Sequence, residues 1–124
     1  MPSRLNGLRL LVVEDEALIA LTLEDMLDGF GCVVAGVAGT LKRAVALADE
    51  LAIDGAVLDV NLGGERVYPA AERLKARGVP FVFCTGYGRA GLDQAFAHVP
   101  TLDKPYQEEA LRGLLLSGLF GQAP

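Results

Sequence analysis

Short apolar runs alternate along the chain with segments whose apolar residues recur at three- and four-residue steps. Residues 8–13 are mostly Leu and Val and stop abruptly at Glu14-Asp15-Glu16, which predicts a strand buried on both faces. Ile19, Leu23, Met26, Leu27 and Phe30 then keep helical spacing, with Gly29 and Gly31 as a stop. The acids ahead of this segment suit a helix N-terminus, where the dipole favours negative charge. Residues 32–37 predict a second strand, and Thr40 caps a helix whose apolar face is Leu41, Ala44, Val45 and Ala48. Residues 55–60 predict a third strand, which runs into Asp59. Val67, Ala70, Ala71 and Leu74 mark a third helix, ended by Gly78. Residues 80–84 predict a fourth strand, with Pro80 at its permitted first position. Residues 88–97 form a weaker helical segment containing two glycines, 99–102 a brief fifth strand, and 107–119 a last helix with Leu111, Leu114 and Leu115 on one face.

Alternating strands and helices of these lengths imply an α/β domain with a parallel sheet covered by helices on both faces. The 124 residues fit one domain, with a core over about residues 8–119 and no linker between units. The composition, 52% hydrophobic and 22% charged, is ample for one packed core. A net charge of −5 and a pI of about 4.7 argue against a nucleic-acid surface, and no Lys/Arg patch offsets them. No apolar run approaches the roughly 20 residues of a bilayer span, and residues 1–4 lack the apolar core of a secretory signal. The expectation is a soluble, cytoplasmic protein with no membrane partner. Cys32 and Cys84 lack a CxxC partner and His98 is the only histidine, so a zinc site is disfavoured and both thiols read as core residues.

In an open parallel sheet, sites form at the C-terminal ends of the strands. Those positions hold Glu14 and Asp15 after the first run, Asp59 at the third, Thr85 after the fourth and Lys104 beyond the fifth. Each alone has an ordinary explanation as a cap, a turn residue or a solvated lysine. Together, each at the corresponding end of its strand, they describe one pocket. Three carboxylates there repel one another, which a divalent cation relieves. Oxygen donors at this density suit Mg²⁺. A carboxylate so placed can attack phosphorus and form an acyl phosphate.

Val12-Val13-Glu14-Asp15, Leu58-Asp59-Val60-Asn61, Thr85-Gly86 and Lys104-Pro105 together resemble the receiver domain of two-component response regulators. The resemblance implies a flavodoxin-like (βα)5 doubly wound sheet with strand order 2-1-3-4-5. It implies Asp59 as phosphoacceptor, Asp15 as a direct Mg²⁺ ligand and Glu14 acting on the metal mainly through water. Asn61 would contribute its backbone carbonyl to the metal. Thr85 would be the switch hydroxyl, Lys104 would contact the phosphoryl group, and the Lys104-Pro105 peptide would be cis. Such a domain supports its own phosphotransfer and autodephosphorylation and is not an enzyme with a separate substrate.

Thr101 departs from the family, which usually places Tyr or Phe three residues before this lysine. Phe83-Cys84-Thr85-Gly86-Tyr87 resembles the Phe-Ala-Thr-Gly-Tyr signature of an atypical, often single-domain subgroup that lacks that aromatic. The subgroup often accompanies kinases of the HWE and related classes. The expected partners are a sensor histidine kinase and a histidine phosphotransfer or target protein. The expected roles are phosphorelay intermediate, phosphate sink or phosphorylation-dependent binding switch. Tyr87 and the glycine-containing segment after Thr85 become candidates for reporting phosphorylation, and Asn61 and Tyr87 for tuning its loss. Weak patterning in 88–97 leans towards a monomer. Two alternatives stay open: a pseudo-receiver that binds partners without phosphorylation, and a small Asp-nucleophile phosphatase of the haloacid-dehalogenase type. The second normally wants an acid where Asn61 stands.

Overall fold

The computed structural model describes residues 4–86 and 92–120. The elements are β1 (Arg9–Val13), α1 (Ala17–Gly29), β2 (Val33–Ala38), α2 (Leu41–Glu50), β3 (Gly55–Asp59), β4 (Asn61–Leu62), β5 (Glu65–Arg66), α3 (Tyr68–Ala76), β6 (Phe81–Thr85), β7 (Thr101–Asp103) and α4 (Glu108–Leu119). Five strands pair in parallel in the order β2-β1-β3-β6-β7. In chain order of the main strands this is 2-1-3-4-5, the flavodoxin-like topology expected.

Side chains alternate across a strand with period two, so each strand feeds both faces. Leu11, Val13, Ala56, Leu58 and Phe83 face one cluster, which α2 and α3 complete through Ala44, Leu47, Ala48, Ala70, Ala71 and Leu74. Leu10, Val12, Val57, Val82 and Cys84 face the other, completed by Leu23 and Leu27 of α1 and Leu111, Leu115 and Leu119 of α4. Both cysteines are buried, as their apolar surroundings imply. Gly118 lets α4 lie close on the sheet, because a Cβ there would stand 2.5 Å from Val82 Cγ1. The Thr40 side chain caps α2 by accepting from the Arg43 N–H at 3.2 Å.

Three local outcomes differ from the sequence reading. A helix over 88–97 is not what residues 92–97 form: they hold a short 3₁₀ turn, Gln94–Phe96, capped by Asp93 through the Ala95 N–H at 3.2 Å, and residues 87–91 lie outside the described ones. Phe96 is the only buried residue of that turn, too little to build a helical stripe. The last strand starts at Thr101, because Pro100 has no N–H and contributes only its carbonyl, to Phe83 N–H at 2.9 Å. Finally, β4 and β5 form a small antiparallel hairpin after Asp59, closed by Gly63 and Gly64 at φ 58° and 94°. Two consecutive positive φ values suit a tight hairpin turn and favour Gly-Gly.

Candidate functional site

The parallel register brings distant residues to one sheet edge. Val13 and Leu58 are partners across β1 and β3, so Glu14 and Asp59 emerge side by side. Asp59 pairs with Cys84 on β6, which places Thr85 one step further out. The Lys104 N–H donates to the Thr85 carbonyl at 3.0 Å and ties the residues after β7 to the same edge. The Lys104-Pro105 peptide is cis. Glu14, Asp59 and Thr85 are the three buried polar or charged residues among the described ones, whereas Asp15 is exposed. A cavity of about 360 Å³ lies above them, lined among others by Asp15, Asp59, Asn61, Thr85 and Lys104.

Lys104 is the hub. Its Nζ lies 2.9 Å from Glu14 Oε1 and 3.0 Å from Asp59 Oδ2. The other Asp59 oxygen, Oδ1, accepts from the Asn61 N–H at 3.2 Å. Asp15 Oδ2 accepts from the Gly63 N–H at 3.0 Å, and Asn61 Oδ1 accepts from the Gly64 N–H at 3.0 Å. The hairpin therefore orders both Asp15 and the loop that follows Asp59. Oxygens of Glu14, Asp15 and Asp59 lie within 4.8 Å of one another.

Burial pushes the Asp59 carboxyl up to about 7; the Lys104 hydrogen bond opposes this, and the neighbouring Glu14 charge adds to it. Burial alone would lower the Lys104 ammonium, but hydrogen bonds to Glu14 and Asp59 outweigh it and the net shift is upward. Cys84 is pushed up to about 12 by burial, which keeps it a neutral thiol beneath the site. The three-acid cluster with one shared cation is oxygen-rich and short of positive charge, and so fits a hard divalent ion.

Thr101 is half-buried and its hydroxyl donates to the Val99 carbonyl at 2.9 Å, so no aromatic ring occupies that strand position. Tyr87 lies outside the described residues. Two contributors escaped the sequence reading. Tyr106 donates its hydroxyl to Glu14 Oε1 at 3.2 Å. Nothing in spacing announces a pair separated by most of the chain. The Gly63 N–H on Asp15 was also missed, although Gly-Gly after Asn61 is a legible hairpin signal. A second cavity, about 270 Å³, lies beside Phe81, Phe96, His98 and Gly118, and no carboxylate lines it among the described residues.

Residues 10–115 match the family model of the response regulator receiver domain. The chain belongs to this family. The receiver domain is 34% identical over 121 residues to the phyllosphere-induced regulator PhyR of Methylorubrum extorquens, covering 91% of this chain and 44% of that protein. It thus spans less than half the length of that curated relative. The solution structure of SdrG from Sphingomonas melonis Fr1 superposes with a TM-score of 0.82 at 40% identity, covering 94% of this chain and 99% of that one. A BeF3-activated conformation of SdrG, from Pseudomonas melonis Fr1, superposes with a TM-score of 0.78 at 42% identity, covering 91% and 98%. Receiver domains are typically non-enzymatic signalling modules of two-component systems. No helix among the described residues is long and apolar enough to cross a membrane.

Proposed function

We propose that this receiver domain accepts a phosphoryl group onto Asp59 from the phosphohistidine of a sensor histidine kinase. The observation that carries the proposal is the convergence of Lys104 and Glu14 on Asp59, with Asp15 completing the acid cluster. An Asp59 oxygen attacks phosphorus, the P–N bond of the donor breaks, and its electron pair leaves with the imidazole. Lys104 already contacts the acceptor and is placed to pair with a phosphoryl oxygen. Thr85 lines the same cavity and offers a hydroxyl to another. Asp15 and Asp59, with Glu14 behind them and the Asn61 carbonyl as a further ligand, would hold Mg²⁺. The ion would supply charge neutralisation for the incoming group. Attack of water on phosphorus later releases inorganic phosphate and restores the Asp59 carboxylate.

The domain then serves as a relay intermediate, a phosphate sink or a phosphorylation-dependent binding switch for a histidine phosphotransfer or target protein. With Thr101 in place of the usual ring, we assign the report of phosphorylation to Tyr87 and the segment after Thr85, as in the Phe-Ala-Thr-Gly-Tyr subgroup and its HWE-type kinases. Asn61 and Tyr87 tune hydrolysis. Intact mass after incubation with Mg²⁺ and acetyl phosphate or phosphoramidate tests the acceptor. A phosphate adduct is expected on the wild type and not on Asp59→Asn. No adduct, even from a cognate kinase, favours a pseudo-receiver, and turnover of a small phosphate ester favours a phosphatase.

A further inference from the structure

Glu14 has its side chain buried, yet three donors reach it. Oε1 receives Lys104 Nζ at 2.9 Å and the Tyr106 hydroxyl at 3.2 Å, and Oε2 receives the Glu16 N–H at 3.1 Å. Lys104 also serves Asp59 at 3.0 Å, so one ammonium is divided between two carboxylates. The Tyr106 hydroxyl is different in kind. It carries no charge, and its half-buried ring packs against the cluster formed by α1, α4 and the sheet. It is held beside Glu14 by the packing of its ring and is not pulled towards a new anion by a charge of its own.

We infer that Tyr106 is a positioning residue that keeps Glu14 satisfied and oriented when Lys104 is drawn to the group carried on Asp59. The inference rests on the acceptor reading of Asp59. A phosphoryl group beside Asp59 competes with Glu14 for the Lys104 ammonium. A buried carboxylate that loses the ammonium paired with it is costly, and its remaining hydrogen bonds set that cost. With the Tyr106 hydroxyl in place, Glu14 retains donors on both oxygens and releases Lys104. Without it, Oε1 depends on Lys104 alone, and Glu14 holds the ammonium back from the phosphoryl site.

Tyr106→Phe keeps the ring and removes only the hydroxyl. Wild type, Tyr106→Phe, Glu14→Gln and the double variant are titrated with beryllofluoride at saturating Mg²⁺, following the Thr85 and Gly86 amides by NMR. Tyr106→Phe is expected to weaken beryllofluoride binding roughly tenfold, the order of one hydrogen bond to a charged acceptor. In the Glu14→Gln background the same change is expected to cost less than about twofold, because the carboxylate that needs the hydroxyl is gone. Equal weakening in both backgrounds would show a packing role and overturn the inference, as would no weakening in Tyr106→Phe. A further readout needs no Glu14 variant. The Glu16 amide, bonded to Glu14 Oε2, should keep its hydrogen-exchange protection on beryllofluoride binding in the wild type and lose about tenfold in Tyr106→Phe. Unchanged protection overturns the inference. If the wild type itself does not bind beryllofluoride, the acceptor reading fails and takes this inference with it.

Discussion

Lys104 Nζ stands 3.0 Å from Asp59 Oδ2, so a lysine beyond the last strand holds the carboxylate at the end of the central strand. The ammonium occupies the neighbourhood of the acid cluster and repels any other cation that enters it. Lys104→Met is therefore expected to bind Mg²⁺ more tightly, on the order of tenfold, as removal of a nearby like charge requires. The same variant should bind beryllofluoride far more weakly, because the cation beside Asp59 is gone. Calorimetric titration with each ligand checks both. Weaker Mg²⁺ binding in the variant would contradict this electrostatic picture.

The Asp59 carboxyl has an ordinary value of 3.8 and is raised to about 7. Between those values the folded domain holds a proton that the unfolded chain has released. Stability from this group therefore falls as pH rises from about 4 towards 7, and the loss is complete above about 7. Metal-free protein is expected to melt at a higher temperature near pH 5 than near pH 8. Asp59→Asn should flatten that slope and raise the melting temperature at the alkaline end. Mg²⁺ held by the ionised cluster would stabilise the wild type most at about pH 8 and little at about pH 5. Thermal melts with EDTA and with Mg²⁺ across this range provide the measurement.

Gly63 donates its N–H to Asp15 from φ 58°, a left-handed backbone that an L side chain enters at a cost of about 1–2 kcal/mol. A Cβ there would meet only Asp15 Oδ2, at 3.9 Å, so backbone strain rather than a clash is the penalty. Gly63→Ala is expected to lose about 1 kcal/mol in urea unfolding. It should also weaken Mg²⁺ binding several-fold through a less ordered Asp15. Wild-type Mg²⁺ affinity in Gly63→Ala would show that the hairpin does not position this acid.

The Tyr68 hydroxyl accepts from the Asp93 N–H at 2.7 Å, and its ring stacks on Phe96 at 5.1 Å with planes 4° apart. The start of α3 thus pins the segment that returns from the Thr85 side of the sheet. Tyr68→Phe keeps the stack and removes the acceptor. Its expected cost is about 1 kcal/mol, with faster exchange of the Asp93 amide and little change at Phe96. Phe96→Ala opens the aromatic cluster and should cost roughly 3–5 kcal/mol. Similar unfolding midpoints for the two variants would contradict this division of roles.

Much of the fold was legible because period-two and period-3.6 patterns are local. Leu10 to Val13 announce a doubly buried strand wherever it lies in the sheet, and Thr40 and Gly78 cap and stop helices through their own chemistry. The segment after Thr85 was less legible. Its three glycines, at 86, 88 and 91, and few apolar residues leave local preference weak, and Tyr68 and Pro100 decided what the described part became. The β4–β5 hairpin is too short for any periodicity and shows only through Gly63-Gly64.

Glu14, Asp15, Asp59, Thr85 and Lys104 could be named from the chain alone, because strand ends are readable and a parallel sheet places its strand ends at one edge. How they share their bonds could not. That Lys104 divides itself between Glu14 and Asp59, that Gly63 holds Asp15 and that Tyr106 reaches Glu14 are distances across the folded edge. The chain sets which groups meet, since strand pattern and topology follow from local hydrophobic order. Tertiary packing sets which donor serves which oxygen, because burial removes water as a competing partner and makes each remaining contact count.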